Sequence, residues 1–288
     1  TGVVNTLIGG NAGDSITSGG YNTAIGYSAL STEDTGNRST AMGYGALSAQ
    51  NNDANNDNTA LGYTAGTAIT TGINNTIMGS FAGDALTDAD ANTVVGVTAL
   101  TADTKGDATV AVGYGALAQQ NFTTVTTTRN TAVGTNAGYA ATTGTYNTFL
   151  GNSAGDANTD ADYNVAVGAN ALTEDELGSQ STAVGYGALQ TQDFGTATNT
   201  GNTAVGYEAG KDLTTGTGNV FIGSGAGDDV VDAHHNTVVG QAAMTADAGD
   251  QNTVMGQSAM NVGTGEHNTV LGYFAGGQLS TGSRNLII

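Results

Sequence analysis

The chain has no Cys, no Pro and no Trp, and only five of its 288 residues are cationic: Arg38, Lys105, Arg129, Lys211 and Arg284. Without Cys there is neither a disulfide framework nor a thiol nucleophile. Without Pro no backbone N–H is withdrawn from pairing, which suits long uninterrupted ladders. Five cations against 25 acids leave a net charge of −20. Nucleic-acid affinity rests on neutralising phosphates, so that partner is excluded on charge. An anionic membrane surface is disfavoured for the same reason. No apolar run reaches the roughly 20 residues that cross a bilayer, so membrane insertion by this segment is not expected. Bulky core residues are scarce too, since the hydrophobic 38% is rich in Ala, which argues against a compact globule of this length.

What the chain does have is repetition. Asn22-Thr23-Ala24-Ile25-Gly26-Tyr27-Ser28-Ala29-Leu30 is one of sixteen copies of a nine-residue phrase. Its central Gly returns at 9, 26, 43, 62, 79, 96, 113, 134, 151, 168, 185, 206, 223, 240, 256 and 272. The list includes Gly62, Gly79, Gly134, Gly185, Gly206 and Gly272, and an Ala follows three residues after each Gly, as Ala29 follows Gly26. Rungs of 16 to 21 residues are too short for helical hairpins and fit one turn of a β-solenoid. The constant phase of the apolar residues argues against disorder, although 46 residues are Gly.

Positions are counted from the Gly as zero. Position −4 is Asn in 13 of 16 copies, the exceptions being Ser39, Thr109 and Ser181. Position −3 is Thr in 13, with Val elsewhere, a shape-conserving β-branched exchange that suits a strand. Positions −2 and −1 are both apolar throughout, and neighbours on a strand point to opposite faces. A strand dry on both sides needs a second cover, and another copy of the chain is the economical one. The −1 residues, among them Val133 and Val184, are accordingly expected to be core. Thr at −3 shares their face and is expected to be buried with them. The Gly marks a corner, Ala at +3 points inward, and the Asn forms a ladder from rung to rung.

Position +4 reveals a higher order: Gly, Leu, Leu, Gly in three blocks of four rungs, and Gly227, Met244, Met260, Gly276 in the last. The blocks, each of about 72 residues, run approximately 1–70, 71–142, 143–214 and 215–288, and 1–288 reads as a single all-β solenoid domain. Longer inserts follow third rungs at Gln50 to Asp57, Gln119 to Arg129 and Gln190 to Gly201, and their polarity places them outside. Thr281 to Ile288 looks like the opening of a further rung, and Thr1 to Ile8 has the same phase, so either a longer array or end-to-end stacking is expected.

Chemical candidates are few. Asp84, Asp88 and Asp90 match Asp156, Asp160 and Asp162 in spacing, and hard oxygen ligands on a turn make them a candidate calcium site. Turn formation and solubility explain the same residues. His234, His235 and His267 and the acidic run Glu174-Asp175-Glu176 read as solvated loops. No phosphate loop or catalytic triad is present, so no enzyme and no other cofactor is expected. Tyr27, Tyr44, Tyr63, Tyr114, Tyr186, Tyr207 and Tyr273 occupy +1, where they pack on neighbouring loops or chains, or offer ring faces to sugars.

The phrase Asn-Thr-Ala-Val-Gly-Tyr-x-Ala-Gly/Leu, with its Asn/Thr/Gly-rich spacers, resembles the head repeats of trimeric autotransporter adhesins. It is also similar to repeats in phage tail fibres and in surface proteins that carry an endosialidase-type chaperone domain. The resemblance implies a left-handed parallel β-roll wound as a homotrimer, located outside the cell, at its surface or on a virion fibre. It brings no catalytic residues. It assigns structural roles to the Asn at −4 (Asn22), the Gly at zero and the apolar −1 residues. Two expectations follow: the rigid shaft of a fibre, built by self-association, or an adhesin or tail-fibre module that recognises surface glycans or another receptor through its outer loops.

Overall fold

The computed structural model describes residues 3–288; the expected phase of Thr1 and Gly2 lies outside the described residues. Every regular element among them is a β-strand, and no helix is long and apolar enough to cross a membrane. The chain divides into two compact units, Thr1–Tyr146 and Asn147–Ile288, where the sequence reads as one domain.

Both units are parallel β-solenoids built the same way. Each rung contributes one three-residue strand from −3 to −1, such as Thr23–Ile25 and Thr40–Met42 in the first unit or Val165–Val167 and Thr182–Val184 in the second. Pairing is in register, phrase on phrase: Thr23 lies on Thr40, Ala24 on Ala41 and Ile25 on Met42. Leu286–Ile287 pairs with Thr269–Leu271, as expected for the opening of a further rung.

The Gly ends each strand because no other residue fits. Gly26 has φ +129°, and a Cβ there would stand 2.6 Å from the Gly43 carbonyl oxygen. The chain then turns through left-handed residues at +2 and +4, such as Ser28 and Leu30. Their cost, roughly 1–2 kcal/mol each, is offset by bonds to the neighbouring rungs: Ser28 N–H donates to Gly10 O (2.9 Å) and Leu30 N–H to Ala46 O (3.0 Å).

Packing between −2 and +4 accounts for the four-rung block. In second and third rungs a small or β-branched −2 residue (Ala24, Ala41, Val94, Ala111) accompanies a buried Leu at +4. In first rungs −2 is large and +4 is Gly, and the preceding fourth rung, whose −2 is small, also carries Gly at +4. A Cβ on Gly66 would lie 3.0 Å from Ile77 Cδ1, and one on Gly210 would lie 2.5 Å from the Phe221 ring. The large −2 side chain of a first rung therefore fills the space left by Gly at +4 both in its own rung and in the fourth rung before it.

The Asn ladder forms as expected. Asn22 Nδ2 donates to Gly36 O (2.8 Å), and Asn22 Oδ1 accepts the N–H of Ser39 (2.9 Å). In the second unit Asn164 does the same with Gly178 O and Ser181 N–H.

Candidate functional site

Strand alternation decides which side chains are available to a partner. Position −2 points into the roll and, from Ala24 to Val270, is buried, whereas −3 and −1 point out together. The −1 residues Met42, Leu61, Met78 and Val133 of the first unit, and Leu150, Val205, Ile222, Met255 and Leu271 of the second, are 37–45% exposed. Val184 is half-buried. Val133 and Val184, expected to be core, thus lie outside the roll of the single chain, on the face left for a second cover. The interior is already filled by −2, Ala at +3 and the +4 and +7 residues, and strand geometry leaves −1 no way in. Thr at −3 is likewise not buried: Thr59 and Thr76 are exposed. The two columns make an uncovered face of threonine and aliphatic side chains on each unit.

Beside it runs the +1 column. Five of its seven tyrosines stack on one another: Tyr27, Tyr44 and Tyr63 form one ladder and Tyr186 and Tyr207 another. The Glu208 carboxylate beside Tyr207 pushes that phenol's pKa up.

A second, buried polar cluster escaped the sequence reading. Asp175 is buried, not solvated with Glu174 and Glu176, which remain exposed. It accepts from Gly178 N–H (2.9 Å) and from Gln192 Nε2 (2.5 Å). Gln192 Nε2 also donates to Ser181 Oγ (2.9 Å), and Gln192 Oε1 accepts from Asn202 Nδ2 (2.8 Å). The first unit repeats this as Asp103–Gln120–Thr109–Asn130 and as Glu33–Gln50–Ser39–Asn58. Burial raises the pKa of Asp103 and pushes Asp175 to about 6. The three departures from Asn at −4 are the signal that could have found these clusters: Ser and Thr lack an amide, and the Gln supplies it. The inserts are therefore not wholly outside. Gln50, Gln120 and Gln192 are buried, as are Phe122 and Phe194, while the stretches after them are exposed.

Three of the calcium candidates make bonds between rungs. Asp84 accepts from Thr101 Oγ1 (2.6 Å), Asp90 accepts the Ile73 N–H (2.8 Å), and Asp88 pairs with Lys105 Nζ (3.1 Å). Asp156 is partly buried, which raises its pKa. Asp160 and Asp162 also engage other groups. Among the described residues no three His, Asp or Glu side chains converge as a metal site. His234 accepts the Thr217 N–H at Nδ1 (3.0 Å), in the column that Asp90 occupies elsewhere.

Compared with protein-family models and with curated proteins, the chain matches none.

Proposed function

We propose that this protein is a self-associating structural element of an extracellular fibre or surface filament, assembling as a parallel homotrimer through its −3/−1 face. The observation that carries the reading is the unbroken column of half-exposed aliphatic side chains, one per rung, on both units. Scattered apolar residues on a surface need no partner, whereas a contiguous row does. Covering the exposed part of one such side chain is worth about 1 kcal/mol. Sixteen rungs then supply on the order of 15 kcal/mol, enough to meet an association cost of roughly 4–15 kcal/mol. In this arrangement −1 lies at the contact and the Thr hydroxyls sit towards its rim.

Light scattering tests it. The expected mass is three times the 28.4 kDa of the chain. Val133→Asp and Val184→Asp should leave the roll intact, because both side chains point outward, yet bring like charges together in the contact and release monomers. A wild-type monomer would sink the reading and leave an open array of Thr hydroxyls and methyl groups. Variants that assemble as well as wild type would equally sink it.

The exposed stretches of the third-rung inserts, including Val125, favour a second reading as a glycan- or receptor-binding module. Binding on a glycan array that disappears when residues 123–127 and 195–199 are replaced by short Gly-Ser links would support it; unchanged binding would not.

A further inference from the structure

The in-register stack forces identical positions on adjacent rungs to overlie, and at +1 this brings phenols together. Tyr27 and Tyr44 have ring centroids 5.5 Å apart and planes 13° from parallel. Tyr44 and Tyr63 are 5.2 Å apart at 11°, and Tyr186 and Tyr207 are 5.4 Å apart at 14°. Phe81 closes the first ladder edge-on against Tyr63 at 5.3 Å. These five tyrosines are 47–54% exposed. Sugar stacking needs an open ring face. Here the faces are turned to one another along the stack, so the ladder is poorly built for a glycan. It presents phenol edges to solvent, each held one rung from a second phenol.

We propose that Tyr27–Tyr44–Tyr63 and Tyr186–Tyr207 are oxidative cross-linking sites, where a one-electron oxidant, such as a haem peroxidase with hydrogen peroxide, joins neighbouring rungs as dityrosine. Each phenol loses one electron and its hydroxyl proton. The two radicals couple through the carbons ortho to oxygen, and the ortho hydrogens return to the oxygens as the rings regain aromaticity. The pair has then given up two hydrogen atoms, which reduce one hydrogen peroxide to two waters. The register holds the second phenol at high effective concentration, so coupling need not wait for a diffusive encounter. Half-exposed rings can tilt on their outer side to close the remaining gap, since such rotamer motion is fast. The product would staple rungs in a chain that has no Cys to do so.

Two tyrosines of the same column are internal controls. Tyr114 lies between Val97 and Thr135, and Tyr273 follows Gln257, so neither has a tyrosine on an adjacent rung at +1.

The full chain is treated with a haem peroxidase and hydrogen peroxide, then assayed for dityrosine fluorescence and mapped by peptide mass. The expected products join Tyr44 to Tyr27 or Tyr63, and Tyr186 to Tyr207, each two hydrogens light and within one chain. Tyr44→Phe with Tyr186→Phe keeps the stacked rings, and so the fold, but should abolish most of the signal. Tyr114→Phe with Tyr273→Phe should leave it unchanged. Urea-unfolded chain should lose the pairing preference. The proposal is overturned if the first double variant couples as well as wild type, if the links map to Tyr114 or Tyr273 or only between chains, or if no dityrosine forms under conditions that couple free N-acetyltyrosine.

Discussion

Lowering the pH from about 7.5 to about 4 should strengthen this fold through Asp175, over a range in which paired surface carboxylates usually begin to fail. The carboxyl has no exposed surface. It accepts hydrogen bonds from Gln192, Gly178 and the Phe194 backbone, all of which favour the charged form, yet burial outweighs them and lifts its pKa from 3.8 to about 6. The folded state therefore holds the proton more tightly than the unfolded chain. The resulting stability is fully present below 3.8 and is lost as pH rises through about 6. The interval, 6 − 3.8 = 2.2 units, corresponds to about 3 kcal/mol. Asp175→Asn removes the titration. Urea midpoints of both proteins across this range isolate it from the other acids. The stability of wild type relative to the variant should rise by about 2–3 kcal/mol on acidification, mostly between pH 6 and 4. Amide exchange at Gly178 should slow in parallel. A flat difference curve, or one of opposite slope, would refute the burial argument. Asp103, raised for the same reason, should add a smaller effect of the same sign.

Gly26→Ala should destabilise the first unit by about 3 kcal/mol or more, from positive φ plus a clash with backbone that cannot move, and thermal unfolding would read it. Asn158 is buried with neither amide atom bonded, at the +7 position where Leu86 and Val230 stand in other first rungs. Asn158→Leu should therefore stabilise the second unit by about 1–2 kcal/mol, seen as a higher urea midpoint; a lower midpoint would mean that the amide has a role in place.

The solenoid was legible because its constraints are local and repeated. Gly at zero, Asn at −4 and the β-branched −3 each answer to backbone geometry that is the same on every rung, so periodicity exposes them. Ala at +3 was expected to point inward, and Ala29 and Ala171 do. The −1 column was expected to be core without the sequence saying whether the roll or a second copy covers it, since apolarity marks a side chain that avoids water without saying which surface takes it from water. Asp175 was misread for the converse reason. An acid within Glu174-Asp175-Glu176 looks solvated until the fold brings up Gln192, 17 residues away, to satisfy it.

Sequence alone settled the rung-on-rung phase and the four-rung block, because each is a periodic property of one chain with a fixed backbone chemistry. Only the tertiary structure decided which of two apolar columns faces the core, that large −2 residues fill the space vacated by Gly at +4, and that three acids pair with three glutamines inside. Those outcomes depend on volume and distance between rungs, which no residue carries by itself.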